Sequence, residues 1–472
     1  MPIMKKLALV GATLVLASCG SDNNNLPVDP PAPPPPPPAP TAAEILTETL
    51  DAAGGFAAFT LPASDDFDNI PQDPSNPITA EKVALGQLLF HETALATEGV
   101  NAGTEGTWSC ASCHHAQAGF KSGVVQGIGE GGSGFGQKGE GRVLVDGFDK
   151  SSSDPTLVPD VQPLTSPTIL NTAYQEVMLW NGQFGNAVNG IVNVGLADDV
   201  LATPGTPKAQ NVRELAGIET QAVAGTGVHR LRTFEGSVLQ TNDEYIALFD
   251  AAFPNSDGDE LEDASKAMAA YERTVLANEA PFQKWLAGDA DAMTEAQMQG
   301  ATLFFGKAGC VDCHNGPGLS SAAGATEDEM FFAIGFEDFD VNNPAVTGGV
   351  GLADSRGRGG FTREEEDFFK FKVPQLYNLT DTNVFGHGGS FNSVRDVVAY
   401  KNTAVAQKVL PEGTLDSRFV PLGLTDEEID LITVFLEEAL YDPDLMRYVP
   451  DAIPSGQCFP NNDEQTRADL GC

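Results

Sequence analysis

Basic residues are scarce in this chain: Lys and Arg number 26 against 66 Asp and Glu, leaving a formal charge of −40. So acidic a surface repels the phosphates of nucleic acid and of anionic lipid, which excludes a nucleic-acid binder. It favours a protein partner with a basic face, although solubility accounts for it equally well. Membrane-spanning length is missing too: the one candidate, Leu7–Ser18, has twelve residues, against the roughly 20 that a spanning helix needs. Alternating strand patterns are few. What remains is a 472-residue chain with 41% apolar content, enough for two or three domains with sizeable cores. Gly and Pro, at 50 and 32, predict many tight turns and irregular surface.

Lys5 and Lys6, the short apolar run and small residues ahead of a cut read as a secretory signal over residues 1–18. Leu16-Ala17-Ser18-Cys19 resembles the lipobox of bacterial lipoproteins, in which Cys19 becomes the lipidated first residue; the alternative is an ordinary signal with an incidental Cys. Residues 19–76 then form a tether. Within it Pro33–Pro38 stiffen into polyproline II at ~3.1 Å per residue and hold a body away from its anchor; a ligand for a proline-binding domain is the alternative. The expected location is the periplasmic side of a bacterial membrane, the outer one, through a lipid anchor only.

Helices separated by long loops fill the rest. Ala80–His91 places Val83, Ala84, Leu88 and Leu89 at helical spacing. Thr294 with Gln297 and Thr425 with Glu428 make capping-box starts. The second opens a stripe of Ile429, Ile432, Phe435, Leu436 and Leu440, and Ala264–Leu276 is a further helix. The glycine-rich stretch Gly127–Gly141 follows no strand, so it reads as a flexible loop and not as a phosphate cradle.

The seven cysteines decide the chemistry. Four occur as Cys110-Ala111-Ser112-Cys113-His114 and Cys310-Val311-Asp312-Cys313-His314, the c-type haem attachment pattern. Two residues between the thiols let both sulfurs reach the vinyl groups of one porphyrin, and the adjacent His falls under the iron. A zinc site and a redox dithiol are the rival readings. Each motif follows a helix ending in Leu-Phe or Phe-Phe and then glycines, which suggests two cytochrome-like halves from a duplication. Cys458 and Cys472 most simply pair as a disulfide in an oxidising compartment, worth roughly 3 kcal/mol.

The stretches NPITAEKVALGQLLF, WSCASCHHAQAGF, SPTILNTAYQEVMLWNGQ, LFFGKAGCVDCHNGPGL and FKVPQLYNLTDTNVFGHGGSFNSVRDVVAY stand in the order and register of a known family. The chain resembles the bacterial di-haem cytochrome c peroxidases, which include the MauG-type enzymes that oxidise protein side chains. The resemblance runs from about Pro77 to Leu440. It implies a mainly α fold of two cytochrome c-like haem domains with long loops and little strand, at 77–255 and 256–448, followed by a tail at 449–472. It also implies a peroxide-cleaving first haem and a second haem fed by a donor cytochrome.

By that resemblance His114 and His314 are the proximal ligands. Trp180 is the aromatic ring between the haems, with a core residue as the alternative; Trp108 and Trp285 are packing. Gln221 matches one distal residue. His229 is the nearest match to a distal Glu, two residues short, with a structural His as the alternative. Arg230 beside it is either a charge stabiliser or half of an ion pair.

Two departures matter. Many members carry a His on the loop after the first motif that caps the iron in the resting enzyme. Residues 122–142 hold no His, so the first iron is expected to be open without prior reduction. At the far side of the second iron, where the family has Met or Tyr, the matching position holds Lys401, preceded by Tyr400; a distant Met330 or Met446 is the alternative. His387 is expected to support that pocket through hydrogen bonds, His115 to face solvent and His91 to lie on a helix surface. One calcium ion between the domains would fall at Thr165 and Thr382, where the usual Asn is missing.

The function implied is reduction of hydrogen peroxide with electrons from a small cytochrome or cupredoxin. MauG-like oxidation of aromatic residues in a partner protein is the second reading, and a tethered electron carrier without catalysis the third.

Overall fold

Threonine side chains start the helices that frame the molecule. Thr41 and Glu44 cap Ala42–Ala52 reciprocally, as Thr294 and Gln297 cap Glu295–Phe305 and Thr425 and Glu428 cap Asp426–Val434. Each pair satisfies backbone N–H groups that the first turn leaves free. Thr79 caps Ala80–His91 through its hydroxyl, and Asp259 opens Glu260–Thr274.

The computed structural model describes residues 39–149, 152–185, 190–340, 342–343 and 351–472. The expected signal segment, Cys19 and the six-proline run lie outside the described residues. Thr41–Cys472 form one unit. Among the described residues strand is confined to two antiparallel ribbons, Gly132–Ser133 with Val143–Leu144 and Phe331–Phe332 with Phe371–Lys372. The fold is mainly helical, as expected. No helix among them is long and apolar enough to cross a membrane.

Two glycines let the framing helices meet backbone to backbone. A Cβ on Gly86 would sit 1.9 Å from the Ala267 carbonyl oxygen, and one on Gly300 2.0 Å from that of Leu431. Ala80–His91 therefore lies against Glu260–Thr274, and Glu295–Phe305 against Asp426–Val434, closer than any side chain would allow. Around the second crossing Phe282, Phe304, Phe305 and Phe435 pack with ring centroids 5.0–5.9 Å apart, a range that favours edge-on aromatic contact.

His91 is not a surface residue as its helix position suggested. It is buried between Phe90, Tyr271 and Phe459, with Nδ1 2.8 Å from the Gln87 carbonyl, and burial pushes its pKa down to about 4. The reason is the C-terminal segment, which covers that helix end.

Cys458 and Cys472 form a disulfide, and the segment it closes is bound to the first motif. The Pro460 carbonyl accepts from the hydroxyls of Ser109 and Ser112. Asp463 accepts from Ser133 and the Gly134 N–H, and Asp469 from the N–H groups of Phe135 and Gly136. Buried Arg142 pairs with Asp463 and donates to the carbonyls of Ile128 and Gly129. The glycine-rich stretch read from sequence as a flexible loop is thus stitched down by carboxylates from the other end of the chain.

Candidate functional site

The two Cys-x-x-Cys-His segments are built alike from the backbone upward. Each begins as a tight turn, Cys110–Ser112 and Cys310–Asp312. Each then reaches a residue held in the left-handed region, Phe120 (φ 58°) and Leu319 (φ 50°). Its carbonyl accepts from the imidazole Nδ1: His114 to Phe120 at 3.4 Å, His314 to Leu319 at 2.6 Å. That bond puts the proton on Nδ1 and leaves Nε2 to bind a metal. Burial pushes both imidazoles down to about 4, so at neutral pH both are in the uncharged, ligating form. Phe90 and Phe304 stand 6.4 and 6.3 Å from the two rings.

The likeness continues downstream. Asn171 (φ 57°) and Asn378 (φ 55°) both turn left-handed. Their side-chain oxygens accept the N–H groups of Ala277 and Asp442, just past the helices that carry Gly86's and Gly300's partners. Gly119 abuts Asn378 while Gly318 abuts Asn171, so each motif rests on the asparagine of the other half.

Burial raises the thiols of Cys110, Cys113 and Cys310 to about 12, the reverse of what a redox dithiol or a thiolate metal ligand requires. Among the described residues no group of three or more His, Cys, Asp or Glu is placed to hold a metal ion. Neither rival reading of the cysteines is supported. A cavity of about 580 Å³ adjoins the second motif, lined by Cys310, Cys313, His314, Trp180, Phe336 and Lys401 among others. Its size and apolar wall suit an organic cofactor, and thioether bonds would consume thiols that are otherwise inert. At the first motif Gly127 crosses Cys113 so closely that a Cβ would lie 3.0 Å from Sγ. Both motifs present the two free thiols and the imidazole with a free Nε2 that a covalently held haem requires, and the second adjoins a cavity to receive one.

The Gly217–Val228 helix aligns Gln221, Gly225 and His229, its C-cap, on one face. A Cβ on Gly225 would lie 3.3 Å from Gln221 Nε2 and 3.9 Å from the His229 ring, so the glycine keeps space between the two polar groups. The His229 carbonyl is hydrogen-bonded to Trp108, two residues before Cys110, which ties this helix end to the first motif. His229 Nδ1 is 2.8 Å from Asp160 Oδ2. Burial disfavours the imidazolium, but the Asp160 charge and hydrogen bond outweigh it and the pKa is raised. Sequence reasoning missed Asp160, which comes from a loop without periodicity. It also missed that Trp108, buried as expected, donates Nε1–H to the His229 carbonyl at 2.7 Å. Arg230 pairs with the buried carboxylate of Glu130.

At the second motif Lys401 enters the cavity wall, its amine 5.5 Å from the Phe419 ring and 5.9 Å from Phe336, and burial lowers its pKa. Tyr400 turns its hydroxyl to the Ile334 carbonyl. Met330 packs with Val177 and Phe331, and Met446 is exposed. His387 is buried, stacked on Phe371 at 3.7 Å, with Nε2 3.2 Å from Asp338. Trp180 meets His387 edge-on at 6.3 Å and donates to the Thr165 carbonyl at 2.8 Å. Of the two hydroxyls weighed for calcium, Thr165 Oγ1 donates to Gly386 and Thr382 Oγ1 accepts from Val384.

His115 was expected to face solvent. It is buried instead, edge-on to Phe135 at 4.8 Å, because the stitched-down glycine-rich stretch folds back over it.

Comparison with known proteins agrees with this construction. The family model of di-haem cytochrome c peroxidase matches residues 80–291. Cytochrome-c peroxidase IdrP1 of Denitromonas iodatirespirans is 28% identical over 82% of this chain and 88% of its own. Methylamine utilization protein MauG of Methylorubrum extorquens is 25% identical over 83% and 86%. A solved MauG-like protein associated with microbial copper homeostasis, 21% identical, superposes with a TM-score of 0.55 over 82% of this chain and 96% of that one, a likeness of fold.

Proposed function

The chain belongs to the di-haem cytochrome c peroxidase family, and from that premise we propose that it reduces hydrogen peroxide to water with electrons from a small donor cytochrome or cupredoxin. The observation that carries this reading is the pairing of His229 with Asp160 on the same helix face as Gln221, at a helix end hydrogen-bonded to Trp108 just before the first motif. When bound, haem supplies the iron at which the O–O bond is cleaved and the path by which two electrons arrive.

The residues divide the remaining work. Cys110 and Cys113, and Cys310 and Cys313, hold the two haems, with His114 and His314 as proximal ligands through Nε2. Asp160 keeps the proton of neutral His229 on Nδ1, so that Nε2 accepts a proton from one peroxide oxygen and returns it to the other as that oxygen leaves as water. The amide of Gln221 orients the bound peroxide. Two protons and two electrons are consumed for two waters formed.

Trp180, held by Thr165 and set against His387, bridges the two halves, 77–255 and 256–448. Lys401 would be the second protein ligand to a haem held at Cys310 and Cys313: its amine stands in the cavity wall, whereas the Tyr400 hydroxyl is committed to Ile334. A non-Met ligand there also favours a second reading, MauG-like oxidation of aromatic residues in a partner. Residues 1–18 direct export, and Cys19 anchors the chain by lipid on the periplasmic side of the outer membrane. The acidic surface selects a donor with a basic face.

The test is to mix holoprotein with peroxide and reduced donor cytochrome while following donor oxidation and the haem spectrum together. Steady turnover supports the peroxidase. A persistent change in the haem spectrum with little turnover supports the second reading, and no reaction overturns both.

A further inference from the structure

Six cationic side chains line the cavity beside the second motif: Lys121, Lys307, Lys372, Lys401, Lys408 and Arg418. Three of them have carboxylate partners. Lys307 pairs with Glu428, Lys408 with Asp338 and Arg418 with Asp416.

Lys121 and Lys372 have only neutral acceptors. Lys372 is buried, with Nζ on the Gln175 side-chain oxygen and 2.8 Å from the Val177 carbonyl. Lys121 Nζ lies 2.6 Å from the Val384 carbonyl. Among the described residues no carboxylate stands within salt-bridge reach of either. Burial pushes Lys121 down to about 8 and Lys372 to about 7, with no acidic group opposing it. An ammonium taken out of water without a counter-charge is costly, and two in one cavity wall point to an anion that belongs between them.

The hydrogen bonds of these two lysines say where they stand. Lys372 Nζ bonds to Gln175 and Val177 of the first half, and Lys121 of the first half bonds to Val384 of the second. None of these partners belongs to the Cys310–Cys313 turn. A porphyrin joined through its vinyl groups presents its two propionate carboxylates at the opposite edge. Lys372 also donates its backbone N–H to the Trp180 carbonyl, and Lys121 belongs to the segment just after the first motif. Both ammonium groups thus border the space between the two halves.

We propose that Lys121 and Lys372 bind the propionates of the haem attached at Cys310 and Cys313 and hold up the reduction potential of that haem. The proposal rests on the di-haem reading of the two motifs. Each ammonium gains the counter-charge it lacks, and each positive charge near the iron favours the reduced form, which carries one positive charge fewer.

The experiment uses full-length holoprotein matured with its haems: wild type, K121M, K372M and K372R. A pyridine haemochrome assay counts haems per chain, and an optical redox titration resolves the two midpoints. The expected result is two haems in every protein. K121M and K372M should each move the second haem to lower potential and leave the first in place, while K372R stays at the wild-type value. An unshifted second haem in both Met variants at full haem content overturns the proposal, as does a shift confined to the first haem. If K372M fails to mature, K121M and K372Q decide on the same readout. A wild-type chain with fewer than two haems would sink the di-haem reading instead, which separates the two failures.

Discussion

His229 carries the most chemistry for a single side chain and depends most on its neighbours. Its carbonyl is tied to Trp108 and its Nδ1 to Asp160, so the ring is fixed from two directions. H229Q should retain both haems and lose about 10²–10⁴-fold in peroxide turnover, the usual worth of a positioned acid-base group, measured as kcat/KM for peroxide. The pH profile of D160N gives an independent check. Asp160 raises the His229 pKa, and only neutral His229 can accept a proton, so activity grows as pH rises through that pKa. Without the carboxylate the pKa falls, and the acidic limb of kcat/KM should move to lower pH. A limb that stays in place would show that another group titrates there. Sequence reasoning reached Gln221 and His229 because they fall near family positions, but Asp160 lies 69 residues away from His229 in the chain. Nothing in its loop sets it apart from the other acidic residues, and only folding makes it the orienting group.

Helices, glycines and the disulfide-closed tail act at the scale of whole elements. The capped helices were legible because Thr-x-x-Glu and Thr-x-x-Gln satisfy a local need of the backbone. The crossings were not, since a glycine in a helix announces nothing until the partner helix is known. G300A would drive its Cβ into the Leu431 carbonyl at 2.0 Å. Overpacking of that kind costs about 1–3 kcal/mol, and a thermal melt of holoprotein should show a lowered Tm. G225A is the contrasting substitution: its Cβ meets the Gln221 amide at 3.3 Å. It should alter KM and kcat for peroxide with little change in Tm. The tail explains both misplaced histidines: it covers His91 directly through Phe459, and it holds down the glycine-rich stretch whose Phe135 lies on His115. Breaking the clamp with C472S removes roughly 3 kcal/mol of loop-closure stabilisation. Limited proteolysis should then cut first between residues 132 and 142, the stretch that Asp463 and Asp469 hold.

Seen whole, the chain is one construction used twice with different distal ends. Left-handed Phe120 and Leu319 hold the proximal imidazoles, left-handed Asn171 and Asn378 latch the helices, and each motif leans on the other half's asparagine. The repeated motifs made two halves legible, but their reciprocal contact was not, because it joins residues from opposite repeats. What breaks the equivalence is the distal group. Gln221 and His229 share a helix face whose end is hydrogen-bonded to Trp108 beside the first motif, and His229 is engaged by Asp160. Near His314 stands Lys401, whose lowered pKa brings the neutral amine within easier reach of a metal. The first iron should therefore be open to small ligands and the second closed. Cyanide titration of oxidised holoprotein should saturate at one equivalent per chain, without prior reduction, since residues 122–142 supply no His to cap the first iron. K401A should raise the limit to two equivalents at unchanged haem content. Two equivalents in the wild type would remove Lys401 from the second iron. None would mean that the first is closed after all, and peroxide could not reach the residues placed here to cleave it.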